Sequence, residues 1–410
     1  MITVHDSKNT LLVVAAATLA QMVVAMSNVV LPTIAPKLAD SLGLSAVLIG
    51  YQVSLTFGIA TVASMFGGTA VLRWGAARMT QVSMAVCGAG LLLFVLPHWG
   101  FVALGSVAVG AAMGLLTPAA AHMLVKYTQP ERRNVMFSIK QTGVPVGGVV
   151  IALTAPALAV TVGWQWSIAM VLALIVLIVL LVGPRRTRWD DDRDPGASLR
   201  QQPFGGVPMV WRHAKLRWLS LVALLFSTIQ RCLLTFTVIY LVAEADYGLI
   251  EAGVMLSMLQ IGGAVARVPW GWLADRLGSS LAVLTSICVL TISATAALAL
   301  LGPAWPRPVV YLLFFVLGAA AVGWNGVFHA EAARLSPPGM AGMVAGGTAV
   351  FIFGGVLLGP SLFAGAYSVI NSYSATFALT TVAGVAALAL LVLGRRAART
   401  EATAVAGAST

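Results

Sequence analysis

The chain has 410 residues, of which 59% are hydrophobic and 9% are charged, and its formal net charge at pH 7 is +11. Water-soluble chains carry about 25% charged residues, so this composition excludes a soluble globular fold: its outside would itself be apolar. The positive charge does not signal nucleic acid, because with the N-terminus inside 19 of the 24 Lys and Arg fall in inner loops or tails, the bias that cytoplasmic loops of membrane proteins carry.

A helix crossing a hydrocarbon core about 30 Å thick needs about 20 apolar residues. In chain order such stretches are predicted over 11–34, 46–71, 79–97, 100–125, 135–160, 164–183, 218–243, 250–273, 281–301, 309–332, 342–366 and 373–394. The alternating strands of about 10 residues that build membrane barrels are not the pattern here. The first span is too long for a signal-peptide core and is expected to remain in place. An even number of spans places both termini on the cytoplasmic side of an inner membrane. Cys87, Cys232 and Cys288 lie in apolar stretches, so they read as buried thiols rather than a disulfide framework.

Residues 184–217 form the longest polar segment, with Arg185, Arg186 and Arg188 followed by Asp190, Asp191, Asp192, Arg193 and Asp194. It reads as a solvated cytoplasmic linker, because a charge run cannot pack a core. It divides the chain into six-helix halves at 1–183 and 218–410. The halves look related. His122, Pro130, Met136, Gly147 and Gly148 recur as His329, Pro337, Met343, Gly354 and Gly355, all at an offset of 207. Parallel repeats of six helices, with a solute site near the midplane, build one large class of transporters.

After the eighth span the sequence reads Gly271-Trp272-Leu273-Ala274-Asp275-Arg276-Leu277-Gly278. This resembles the inner-loop motif of the major facilitator superfamily. The resemblance implies an all-α membrane protein of twelve transmembrane helices in two pseudo-symmetric bundles, alternating access, and a latch role for Asp275 and Arg276 with Arg267 as an extra partner. The matching loop of the first half reads Gly68-Thr69-Ala70-Val71-Leu72-Arg73-Trp74-Gly75. Its glycines and Arg73 fit the family pattern, but Leu72 stands where the family has Asp, so the latch there is weakened or built differently. Many proton-coupled exporters of the family carry an Arg in helix 4, a turn before a Gly; here Ser106 precedes Gly110. In helix 5, Gly143-Val144-Pro145-Val146-Gly147-Gly148 only partly resembles the antiporter motif and also suits helix packing and bending.

Arg231 falls near the middle of the seventh span, where a charge is costly and faces a cavity or a partner. Its planar fork suits a carboxylate. Lys140 lies about two turns into the fifth span; it either snorkels to the inner surface or adds a second cation to a cavity. No Asp or Glu occupies the middle third of any span, and an anionic substrate would supply the missing charge. Asn28, Tyr51, Gln52, Gln260, Trp324 and Asn325 are further midplane candidates, each either a solute ligand or an interhelical hydrogen bond. His122, His329 and Glu331 near the inner ends of the fourth and tenth spans are candidates for proton coupling, against the alternative of hydrogen-bonded helix ends.

The chain has no Gly-x-x-x-x-Gly-Lys-Ser/Thr phosphate loop and no Cys, His and acid cluster suited to a metal. The sequence therefore predicts no enzyme, no cofactor and no nucleic-acid partner. It predicts a monomeric secondary transporter in the lipid bilayer, taking up a small anionic, carboxylate-type solute by proton symport. The rivals are an exporter of drugs or metabolites on the same fold and, from another class, a membrane-embedded enzyme or sensor.

Overall fold

The computed structural model describes residues 7–96, 98–129, 133–196, 206–302, 304–337 and 340–408; Pro130 of the repeat and 197–205 of the linker lie outside them. In lipid, every backbone N–H and C=O has to be paired within the chain, which a helix does locally. The first six spans are α1 (Ser7–Leu42), α2 (Ile49–Trp74), α3 (Ala76–Phe94), α4 (Trp99–Tyr127), α5 (Arg133–Thr161) and α6 (Trp164–Val182). Two short helices follow, α7 (Arg186–Trp189) and α8 (Gly206–Arg212). The remaining spans are α9 (Ala214–Ala243), α10 (Leu249–Leu277), α11 (Ser280–Ala299), α12 (Arg307–Ala321) with α13 (Asn325–Arg334), α14 (Ala341–Ile370) and α15 (Tyr373–Ala408). Twelve spans among the described residues are long and apolar enough to cross a membrane, as the hydropathy predicts.

The chain forms two compact units, 1–201 with 249–257 and 202–248 with 258–410. Within the first, α1 packs on α5 and α6, and α3 packs on α6. Within the second, α9 packs on α14 and α15, and α11 packs on α15. Counted as spans, the pairs are 1–5, 1–6 and 3–6 against 7–11, 7–12 and 9–12, the same pattern repeated.

Two expectations need correction. The tenth span is not one helix: it breaks between Ala321 and Asn325. The acidic run of the linker is exposed from Asp191 to Gly196, as a solvated segment should be, but its start is not. Trp189 is 1% exposed, and its indole N–H donates to Asn9 Oδ1 of α1 at 3.1 Å. Asp190 accepts from the backbone N–H groups of Ala77 and Arg78 at 2.7 and 2.9 Å. Lys126 donates to the carbonyl of Trp189 at 3.0 Å, to Asp192 at 2.7 Å and to Asp191. The composition argument fails at Asp190 alone, because α3 offers free N–H groups to it and the buried Trp189 anchors the chain beside it, while Lys126 of α4 holds the exposed Asp191 and Asp192. At the other end of the linker, α8 lies on α14, with the Trp211 and Phe351 rings stacked at 6.2 Å.

Candidate functional site

Among the described spans α9 is the most deeply packed, with 78% of its apolar window buried. Arg231 lies about 25 Å along this 30-residue helix and is 9% exposed. The residue before it, Gln230, ties α9 to the break in the tenth span. Its Oε1 accepts from Trp324 Nε1 at 3.0 Å and from Asn325 Nδ2 at 3.4 Å.

The break is a local rearrangement of helix hydrogen bonds. The Gly323 N–H donates to the carbonyl of Gly318 at 3.1 Å, one residue further back than in a regular helix. This passes over the carbonyl of Ala319, which instead accepts from the indole N–H of Trp270 on α10 at 2.8 Å. A single widened turn of this kind inside an α-helix is a π-bulge, a feature frequent at functional sites. Gln230, Trp324, Asn325 and Trp270 thus belong to one neighbourhood built on α9, α10 and the break, with Arg231 next to Gln230 in the chain. Sequence reasoning missed Gln230 and Trp270. A glutamine beside a mid-span arginine was a readable signal; nothing in the sequence marked Trp270.

Trp324 is not an open pocket wall. It is 1% exposed and packs between the rings of Phe226 and Phe328, each 5.4 Å away by centroids. Its indole N–H, together with the Asn325 amide, is what it offers toward α9.

The structure places the other predicted residues as follows. Lys140 is 4% exposed, so it is buried rather than snorkelled; one turn on, Gly143 lies against the Thr18 carbonyl of α1. Gln52 donates to Ser106 Oγ at 2.8 Å and Thr56 Oγ1 at 3.1 Å, an interhelical tie at the position where the exporter arginine is missing. Asn28 donates to the Val24 carbonyl at 2.8 Å and approaches the Met113 sulfur at 3.4 Å. Gln260 is buried and Tyr51 is exposed.

Of the gating candidates, Asp275 and Arg276 are both exposed. Arg276 stacks over Trp272 at 5.1 Å. The expected pairing of Asp275 with Arg267 is not made, since the two lie about 12 Å apart along one helix; among the described residues Asp275 makes no ion pair. Arg73 stacks on Trp74 at 5.9 Å. His122 and Glu331 are held by partners that the sequence did not name. His122 Nε2 meets Asp192 Oδ2 at 2.7 Å. Glu331 is fully buried and accepts from Arg334 Nε at 2.9 Å and Nη2 at 2.5 Å. His329 is exposed, its ring edge-on to Phe328 at 5.2 Å.

The acidic run answers the anomaly at Leu72. The segment 72–75, the end of α2 and the turning Gly75, has no acid of its own, yet Asp190 reaches the start of α3 directly behind it, and the Asp194 N–H donates to the Leu72 carbonyl at 2.8 Å. Burial pushes the Asp190 carboxyl up from its ordinary value, against the two amide hydrogen bonds and Lys126, which favour its charge. Burial acts the same way on Asp192, but the hydrogen bonds from Lys126 and His122 outweigh it and hold that carboxyl below the usual range.

Comparison with known proteins gives a consistent result. A family profile described as Major Facilitator Superfamily matches residues 17–360. The MFS-type transporter MT3072 of Mycobacterium tuberculosis (strain CDC 1551 / Oshkosh) is 26% identical over 288 residues, covering 68% of this chain and 60% of the relative. The chain therefore spans about three-fifths of that relative's length. Multidrug resistance protein MdtH of Cronobacter sakazakii (strain ATCC BAA-894) is 30% identical over 126 residues, covering 30% of this chain and 31% of the relative. The crystal structure of a bacterial homolog of the human lysosomal transporter Spinster, inward-facing and occupied, superimposes with a TM-score of 0.74 at 18% identity, covering 94% of this chain and 96% of that one; at this identity the likeness is one of fold. With the family profile matched over most of the chain and twelve helices long and apolar enough to cross a membrane, the chain is a multi-pass membrane protein that belongs to the Major Facilitator Superfamily.

Proposed function

We propose that this protein carries a small anionic, carboxylate-type solute by alternating access, as a monomer in the inner membrane with both termini cytoplasmic. The observation that carries the reading is Arg231: a buried guanidinium near the middle of α9, next to the glutamine that holds the broken tenth span. A cation at this depth is expensive, and such residues mark solute and ion pathways. A guanidinium recognises a carboxylate through two parallel hydrogen bonds, and the amides of Gln230 and Asn325 supply further polar contacts beside apolar rings, the mixture typical of small-molecule sites. Lys140 is a second buried cation, in the first unit. Proton symport is the coupling we assign.

The test is uptake of a labelled monocarboxylate panel into proteoliposomes under an imposed proton gradient. Arg231→Ala is expected to lower uptake at least a hundredfold while the purified protein keeps its melting temperature within a few degrees. Arg231→Lys, which keeps the charge but loses the fork, is expected to retain a small fraction of transport. Wild-type uptake by Arg231→Ala would remove the anion reading. The match to a multidrug resistance protein over 30% of the chain favours one rival, export of drugs or metabolites; raised drug tolerance on expression, with no anion flux in vesicles, would support it.

A further inference from the structure

In the second unit the first turns of α9 and α11, the end of α13 and the middle of α15 line a cavity of about 170 Å³. Three of these are ends at which the chain enters or leaves a basic loop: Lys215 opens α9, Leu281 opens α11 and Arg334 closes α13; on α15, Gly394 is followed in sequence by Arg395 and Arg396. One side of the cavity is a leucine wall that includes the buried Leu219 and Leu391. The other side carries the exposed Lys215 and the side chain of Arg334, which is 66% exposed.

Glu331 organises the polar side. It is fully buried, and its two oxygens take up Nε and one Nη2 proton of Arg334. A guanidinium has five N–H donors, so its outer edge remains available and is aimed by a carboxylate that cannot itself move into water. Two cations face one carboxylate, which leaves the cavity one positive charge. Trp218 also lines it, and Arg217 lies over both Trp211 and Trp218 at 5.7 Å. Tryptophans and basic residues together are what a protein presents at headgroup depth.

We propose that this cavity binds an anionic phospholipid, with its phosphate on Lys215 and the outer edge of Arg334 and the first part of an acyl chain on the leucine wall. The placement in the inner leaflet rests on the orientation given under Proposed function; the anionic solute and Arg231 play no part in it. Basic pockets between membrane helices on the cytoplasmic side are a recurrent way of holding acidic headgroups, and the joint polar and apolar lining selects an amphiphile over a free anion.

The experiment is thermal melting of detergent-purified protein with phosphatidylglycerol, phosphatidylethanolamine or inorganic phosphate, together with native mass spectrometry of retained lipid. A ligand of the folded state raises the melting temperature with concentration. Phosphatidylglycerol is expected to stabilise the protein and to be retained, while phosphatidylethanolamine and phosphate do neither. Lys215→Gln should weaken phosphatidylglycerol binding roughly tenfold, the loss of one charge-assisted contact. Leu390→Trp, which fills the cavity, should abolish the stabilisation. Equal effects of the two lipids, stabilisation by phosphate alone, or a full response in Leu390→Trp would each overturn the proposal. If Leu390→Trp does not fold, an unchanged affinity in Lys215→Gln overturns it alone. None of these readouts depends on transport, so they stand or fall separately from the Arg231 test.

Discussion

The turn between α2 and α3 and the turn between α10 and α11 occupy equivalent places in the two halves, yet their following helices are capped by different parts of the chain. At the start of α11 the cap is local: Ser279 Oγ accepts from the Ala282 N–H at 3.2 Å. At the start of α3 the residue in that place is Gly75, which has no side chain to offer. Asp190, 113 residues further along, accepts from the Ala77 N–H instead. The first N–H groups of a helix need acceptors and favour negative charge, and nothing requires the acceptor to be a sequence neighbour. A missing acid in a short motif is therefore no measure of what stands there in the folded protein. It is Asp275, the acid the motif does contain, that is exposed.

The sharpest test of this contrast is at the two glycines. Gly75 has φ +94°, and a Cβ there would sit 2.3 Å from Asp190 Cγ. Gly278 has φ +60° with nothing within 4 Å of a Cβ. Gly75→Ala combines backbone strain with displacement of the cap, and we expect a loss of about 3 kcal/mol; Gly278→Ala should cost about 1 kcal/mol. Equal losses in reversible unfolding in mixed micelles would break the comparison.

Next in size are the acids. Asp190→Ala is expected to cost about 1–2 kcal/mol, as for other lost N-terminal caps, and to speed tryptic cleavage at the 185–193 arginines by releasing the segment from α3. Asp275→Ala should stay within about 0.5 kcal/mol, as for exposed residues without partners. A larger effect at Asp275 than at Asp190, read by the same unfolding assay, would reverse the assignment.

The smallest effect is on pH dependence. The folded-state pKa of Asp192 lies below its ordinary value, so its contribution is fully present above the unfolded pKa of about 3.9 and is lost as pH falls through the folded value. Asp190 works in the opposite sense, since burial holds its carboxyl up. The difference between wild type and Asp192→Asn isolates the first term. Wild type should lose its advantage over Asp192→Asn between about pH 5 and pH 2, by well under about 1 kcal/mol because solvent screens the half-exposed pair with Lys126 and His122. A wild-type advantage that grows on acidification would contradict these contacts.

Much of the fold was legible because its signals are local. A span needs only its own apolar residues, and the inner-loop motif Gly271–Gly278 names the family within eight positions. The break at Val322–Trp324 was not legible: Gly323 alone does not break a membrane helix, and the carbonyl it leaves over is satisfied by Trp270 from α10. The candidate site was half legible. Arg231 stood out because a mid-span charge is rare, whereas Gln230 became relevant only when Trp324 and Asn325 were found on it.

By itself, then, the sequence determined the number and length of the spans, the repeat of 207 residues and the membership of the family, all of which depend on residues close together in the chain or on the bulk transfer of apolar surface into lipid. Tertiary structure decided which polar groups meet. The bonds that matter here join residues 113 apart at Asp190 and 94 apart at Gln230. A buried donor or acceptor takes whichever partner the packing brings within about 3 Å, and only the assembled helices set that choice.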